Sequence, residues 1–96
     1  MARNISINVT DATGATIGIN REPFRDELII RNGPTSDTVW LAFNESAVAN
    51  AGIYLEAGDA IILNSSKRDR KSRVTGDVYF VCAASESATV YADVTT

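Results

Sequence analysis

Ninety-six residues with a formal net charge of −3, 45% of them apolar, fit one small globular domain and not a disordered chain. There is no histidine, and Cys82 is the only cysteine. The usual general base and commonest metal ligand are therefore missing, and an internal disulfide or a multi-cysteine zinc site is excluded.

The predicted elements are short and alternate with period two, the mark of strands with one buried face. Met1-Ala-Arg-Asn-Ile-Ser lacks the apolar stretch of a signal peptide and no run is long enough to span a bilayer, so a soluble protein of a reducing compartment is expected. Residues 1–4 are set aside as an N-terminal arm. Asn4 to Thr10 places Ile5, Ile7 and Val9 on one face. Asp11 to Gly14 reads as a turn, with Gly14 free to take positive φ. Ala15 to Asn20 reads as a strand in which Gly18 marks a bulge or a close backbone approach. Residues 5–19 together therefore suggest a hairpin. Pro23 breaks the chain.

The stretch from Phe24 to Leu63 organises the rest. Leu28 and Ile30 alternate with Ile29 and Arg31. Val39, Leu41 and Phe43 alternate with Trp40 and Ala42, and Ile53 and Leu55 with Tyr54 and Glu56. Asn44 to Asn50 has room for one helical turn, capped by Asn44 or Ser46, and Gly52 relieves the chain before the next strand. A tight Ala-Gly-Asp turn leads to a fourth strand ending at Leu63. Asn64 to Arg73 is a polar, charged loop or protruding tip. Val74 to Val78 carries a hairpin signal, with Gly76-Asp77 as a two-residue turn. Asp77 to Ala83 is apolar on both faces, which predicts a central strand. Ala84 to Ser87 is a turn, and the last strand turns Ala88, Val90, Ala92 and Val94 inward. About eight strands with such spacing predict one all-β domain over residues 1–96. The expected fold is an antiparallel β-sandwich, jelly-roll- or immunoglobulin-like.

No constellation reads as catalytic, so no enzyme and no cofactor is expected. Asp26 and Glu27 are strand neighbours pointing to opposite faces. DATGATIG, Asp11 to Gly18, lacks the Lys-Ser/Thr of a phosphate-binding loop. Cys82, in phase with Val78 and Phe80, reads as a buried small apolar residue. Asn4, Asn8, Asn44 and Asn64 open Asn-x-Ser/Thr triplets, which without a secretory signal read as exposed loops and edge strands. Trp40, Tyr54, Tyr79 and Tyr91 are each out of phase with their inward neighbours. If they share a face, it suits a protein interface or a sugar platform; otherwise they belong to the core. Lys67 to Arg73 holds five basic groups and one acid, a local +4 on a remainder of −7. It reads as a solvated loop or a salt-bridging prong; without interleaved aromatics it points away from nucleic acid.

The blocks Arg25 to Asn32 (Arg-x-x-Leu-Ile-Ile-x-Asn), Val39 to Leu41, Gly52 to Asp59, Gly76 to Tyr79 and Ala88 to Tyr91 together resemble small β-sandwich structural proteins of tailed-bacteriophage virions. The resemblance is especially to capsid decoration (cement) and head-fibre type proteins. The resemblance implies a non-enzymatic protein of the outer capsid surface that binds the major capsid (coat) protein. It implies a homo-oligomer, with a trimer favoured, placed where coat subunits meet. On this reading Trp40 and Tyr54 provide apolar anchoring, and Lys67, Arg68, Arg70, Lys71 and Arg73 provide charged contacts. No nucleic acid or membrane partner is expected. A carbohydrate-binding or adhesion module, or a tail, collar or fibre adaptor, is the alternative.

Overall fold

The structure, a computed structural model, describes residues 2–64 and 74–96. Its strands are β1 (Ala2–Thr10), β2 (Ile17–Ile19), β3 (Glu27–Asn32), β4 (Val39–Phe43), β5 (Ile53–Leu55), β6 (Ala60–Asn64), β7 (Val78–Cys82) and β8 (Ser87–Thr95). They form two antiparallel four-stranded sheets, in the orders β1-β8-β3-β6 and β2-β7-β4-β5. β1 pairs β8, β2 pairs β7, β3 pairs β6 and β4 pairs β5. The chain is thus one long antiparallel ribbon, bent at the β4–β5 turn and rolled so that successive rungs fall in opposite sheets. The pairings β3–β8 and β4–β7 close the roll. This is the jelly roll, and the strand order decides against the immunoglobulin-like alternative.

The core follows the alternation. Leu28, Ile30, Val39, Leu41, Val78, Phe80, Val90 and Val94 are almost fully buried between the sheets. β7 lies between β2 and β4 and is buried on both faces, as its doubly apolar pattern predicts. Of the residues set aside as an arm, Ala2, Arg3 and Asn4 are strand instead: they pair with Thr95, Val94 and Asp93, because β8 is long enough to offer partners out to Thr95.

Residues 5–19 are not a hairpin, since β1 and β2 lie in different sheets. The connection is pulled across by the Thr13 hydroxyl, which donates to the Phe80 carbonyl at 2.8 Å, and by the Ala47 N–H, which donates to the Gly14 carbonyl at 2.8 Å. Gly14 serves this close approach and not a positive φ: a Cβ there would sit 2.4 Å from the Ala47 carbonyl oxygen. The second strand is shorter than predicted, with a register shift between Ile17 and Ile19, so Gly18 does mark an irregularity. A Cβ on Gly18 would strike the Phe80 ring.

Asn44 to Asn50 holds no helical turn. Asn44 and Asn50 adopt left-handed φ of 63° and 64°, conformations a right-handed turn cannot include. Gly52, at φ 81°, relieves the chain as expected. The Gly76-Asp77 hairpin is also overturned. Val74 and Thr75 form a brief helical turn on the crossing from β6 to β7, which lie in different sheets. Asp77 is a junction instead. Its carboxylate accepts from the Arg21 N–H at 2.8 Å, its carbonyl accepts from the Asn44 N–H at 2.8 Å, and its own N–H donates to Asn44 Oδ1.

Among the described residues, two polar side chains are fully buried, Arg25 and Asn32. Arg25 fans its guanidinium onto the carbonyls of Val74, Gly76 and Asn20. Burial holds its pKa below the ordinary arginine value, the nearby Arg3 charge adds to this, and Asp77 opposes it. The Asn32 amide donates to the carbonyls of Asp37 and Leu55.

Candidate functional site

β4 and β5 set Trp40 directly opposite Tyr54, and β7 sets Val81 on the other side of Trp40. Their neighbours Val39, Leu41 and Leu55 take the buried positions, so this rung faces outward. Directly opposed side chains have Cβ atoms roughly 4.5–5.5 Å apart, close enough for the two rings to work as one surface. Trp40 is half-buried and Tyr54 is 56% exposed. Tyr79 lies on the same face, opposite Ala42.

Tyr91 does not join them. It lies on the outer face of the other sheet, opposite Arg31 and Ser6. The four aromatics therefore split three to one, because strands that alternate alike can still belong to opposite sheets.

The left-handed Asn50 and Gly52 bring the β4–β5 connection back beside the pair. The result is a shallow cleft lined by Thr38, Trp40, Asn50, Gly52, Tyr54 and Glu56. It offers two aromatic faces, the hydroxyls of Thr38 and Tyr54, an amide and one carboxylate. That set can stack on and hydrogen-bond a partner. Among the described residues, no three His, Cys, Asp or Glu side chains gather as a metal ligand set. Asp26 is exposed, while Glu27 accepts from the Asn64 amide at 2.8 Å.

Cys82 is buried, as its phase predicts, and burial pushes its thiol up to about 11, with Asp37, Glu86 and Asp11 adding to the shift. It is therefore a protonated core residue at neutral pH. Native protein at pH 7 to 8 is expected to react with a thiol reagent such as iodoacetamide at least about a hundredfold more slowly than protein in denaturant, as read by mass spectrometry. Comparable rates would show that the site opens readily.

Lys67, Arg68, Arg70, Lys71 and Arg73 lie outside the described residues. Sequence reading also passed over a second exposed apolar patch. Ile29, half-buried, stands beside Ile62, 56% exposed, on the outer face that carries Tyr91. The signal was the run Ile61-Ile62-Leu63, where one of three apolar residues has to face outward.

Fold and face together define a β-sandwich module of the jelly-roll class with an aromatic rung on its outer face. No protein-family model and no curated protein sequence matches the chain. Solved structures share the fold. A cupin protein from Bacteroides fragilis superposes with a TM-score of 0.62 at 13% identity, over 99% of this chain and 65% of that one. The hydroxypropylphosphonic acid epoxidase of S. wedmorenis, in complex with fosfomycin, gives 0.56 at 9% identity, over 96% of this chain and 41% of the enzyme. A Bacillus endospore appendage protein, from a family of disulfide-linked pili, gives 0.54 at 16% identity, over 98% of this chain and 84% of that one. This chain thus spans less than two thirds of either of the first two.

Proposed function

We propose that this chain is a non-enzymatic structural protein that docks on a larger protein assembly, specifically a decoration protein on the outer surface of a tailed-bacteriophage capsid. Trp40 and Tyr54 anchor it to coat subunits, and Lys67, Arg68, Arg70, Lys71 and Arg73 supply charged contacts. The observation that carries this reading is the Trp40–Tyr54 pair, an exposed aromatic rung of the kind that dominates interface energetics. The sequence resemblance supplies the assembly. The likeness to an appendage protein is compatible with a jelly roll used as a building part. Cys82 is buried and protonated, so linkage through a disulfide does not carry over.

The test is binding of purified protein to matching capsids that lack it. Tyr54→Ala and Trp40→Ala are each expected to weaken binding by about 2 kcal/mol or more, roughly thirtyfold. Neutralising the five basic residues of 67–73 is expected to slow association and flatten its salt dependence. Unaltered affinity in all three variants would remove this surface from the interface. A shift in Trp40 fluorescence with polysaccharide, and no capsid binding, would establish a glycan-binding module instead.

A further inference from the structure

We propose that β1 is a self-association edge. Two copies of this chain pair their β1 strands antiparallel about a two-fold axis at Ser6, joining the two β1-β8-β3-β6 sheets into one continuous sheet. The inference concerns a different surface from the Trp40–Tyr54 face and does not rest on the capsid reading. It departs from the three-fold assembly that the resemblance implies.

Exposed sheet edges are normally blunted by shortness, charge, proline or bulges. β2 and β5 are each three residues long, β2 carries a register shift, and β6 has five residues. β1 has nine, all paired to β8 on one side; among the described residues no strand pairs with its other side. It contains no proline. Its one charge, Arg3, is taken up by an ion pair with Glu22.

The sandwich also stands open beside β1. A groove of about 280 Å³ runs between β1 and β2, lined by Ile5, Ile7, Ile17 and Phe80 among others. Ile5 and Ile7 are only half-buried and Ile17 is 42% exposed.

The strand is complementary to itself. Side chains of two joined strands must keep their faces, so core-facing residues have to oppose core-facing residues. Among such registers, the one that uses all nine residues centres on Ser6. Ile5 then meets Ile7 of the second copy, Asn4 meets Asn8, and Ser6 meets Ser6. No like charges come together, and the isoleucines of both copies fill the two facing grooves.

The area is sufficient. β1 extends about 30 Å at roughly 3.4 Å per residue, along a molecule 19 Å through its shortest dimension. The covered wall is on the order of 500 Å² per copy, about a tenth of the 5596 Å² surface, at the lower bound for a specific dimer.

Sedimentation across the micromolar range is expected to show a monomer–dimer equilibrium. Ser6 is exposed, so Ser6→Lys leaves the fold intact, which far-UV circular dichroism checks. It sets two ammonium groups opposite each other and is expected to weaken the dimer about fivefold or more. Directly opposed Cα atoms lie about 4.5–5.5 Å apart, within the span of a disulfide. Ser6→Cys is therefore expected to oxidise to a covalent dimer. Asn8→Cys, which faces Asn4 of the second copy, is not, and buried Cys82 takes no part. A monomer at every concentration, a trimer, or equal crosslinking of the two cysteine variants would overturn the proposal.

Discussion

Replacing Arg25 by alanine is expected to cost about 3–5 kcal/mol, a large share of the roughly 5–15 kcal/mol that holds a domain folded. The side chain is 1% exposed, and among the described residues no carboxylate bonds to it. Its Nε donates to the Val74 carbonyl at 2.5 Å, Nη2 to Gly76 at 2.7 Å and Nη1 to Asn20 at 3.0 Å. Those carbonyls belong to two connections, β2–β3 and β6–β7, that share no strand pairing. Alanine would leave all three without a donor and open a cavity beside Val74, itself fully buried. Lysine keeps the charge but not the planar fork, and one ammonium cannot reach three carbonyls spread around it. Arg25→Lys is therefore expected to lose at least about 2 kcal/mol. Urea denaturation followed by Trp40 fluorescence gives both values, and an alanine variant within 1 kcal/mol of wild type would show that the fan is incidental.

The strands of this fold were legible because each carries its own evidence. Ala88, Val90, Ala92 and Val94 alternate so cleanly that their burial follows from spacing alone. The pairing was not legible. β1 binds β8, at the other end of the chain, and no property of NISINVT names that partner. Proximity in sequence suggested β2, and turn chemistry suggested that Gly76-Asp77 closes a hairpin. Both readings fail for one reason: in a rolled ribbon the β1–β2 and β6–β7 connections each cross between sheets. The same blindness left open whether Tyr91 shares a face with Trp40 and Tyr54. The Trp40–Tyr54 rung was within reach, since both residues oppose their buried neighbours on strands joined by one loop. The two buried polar residues stand at the ends of the Arg25 to Asn32 segment, but period two cannot say that Arg25 turns inward beyond the strand's first residue.

Asn32→Asp is expected to be as damaging as the loss of Arg25 at neutral pH, about 3–5 kcal/mol, and to recover in acid. Asn32 is fully buried at the end of β3. Its amide donates to Asp37 at 2.8 Å and to Leu55 at 3.0 Å, so it stitches one sheet to β5 of the other. Its Oδ1 accepts no hydrogen bond from the described residues, so the two amide protons do the binding. A carboxylate would face two carbonyl oxygens with nothing to donate, and burial would disfavour its charge. Both effects raise its pKa in the folded state above the unfolded value. By linkage, such a group weakens the fold progressively as pH rises through the folded pKa, and least below the unfolded one. The protonated acid can still donate once, so stability at pH 4 should exceed that at pH 7, after subtraction of the wild-type trend. Asn32→Leu, which loses both donors but buries no charge, is expected to cost about 2–3 kcal/mol with no such pH dependence. Parallel pH profiles for the two variants would mean that the carboxylate escapes to water and that the cross-sheet stitch is not closed to solvent.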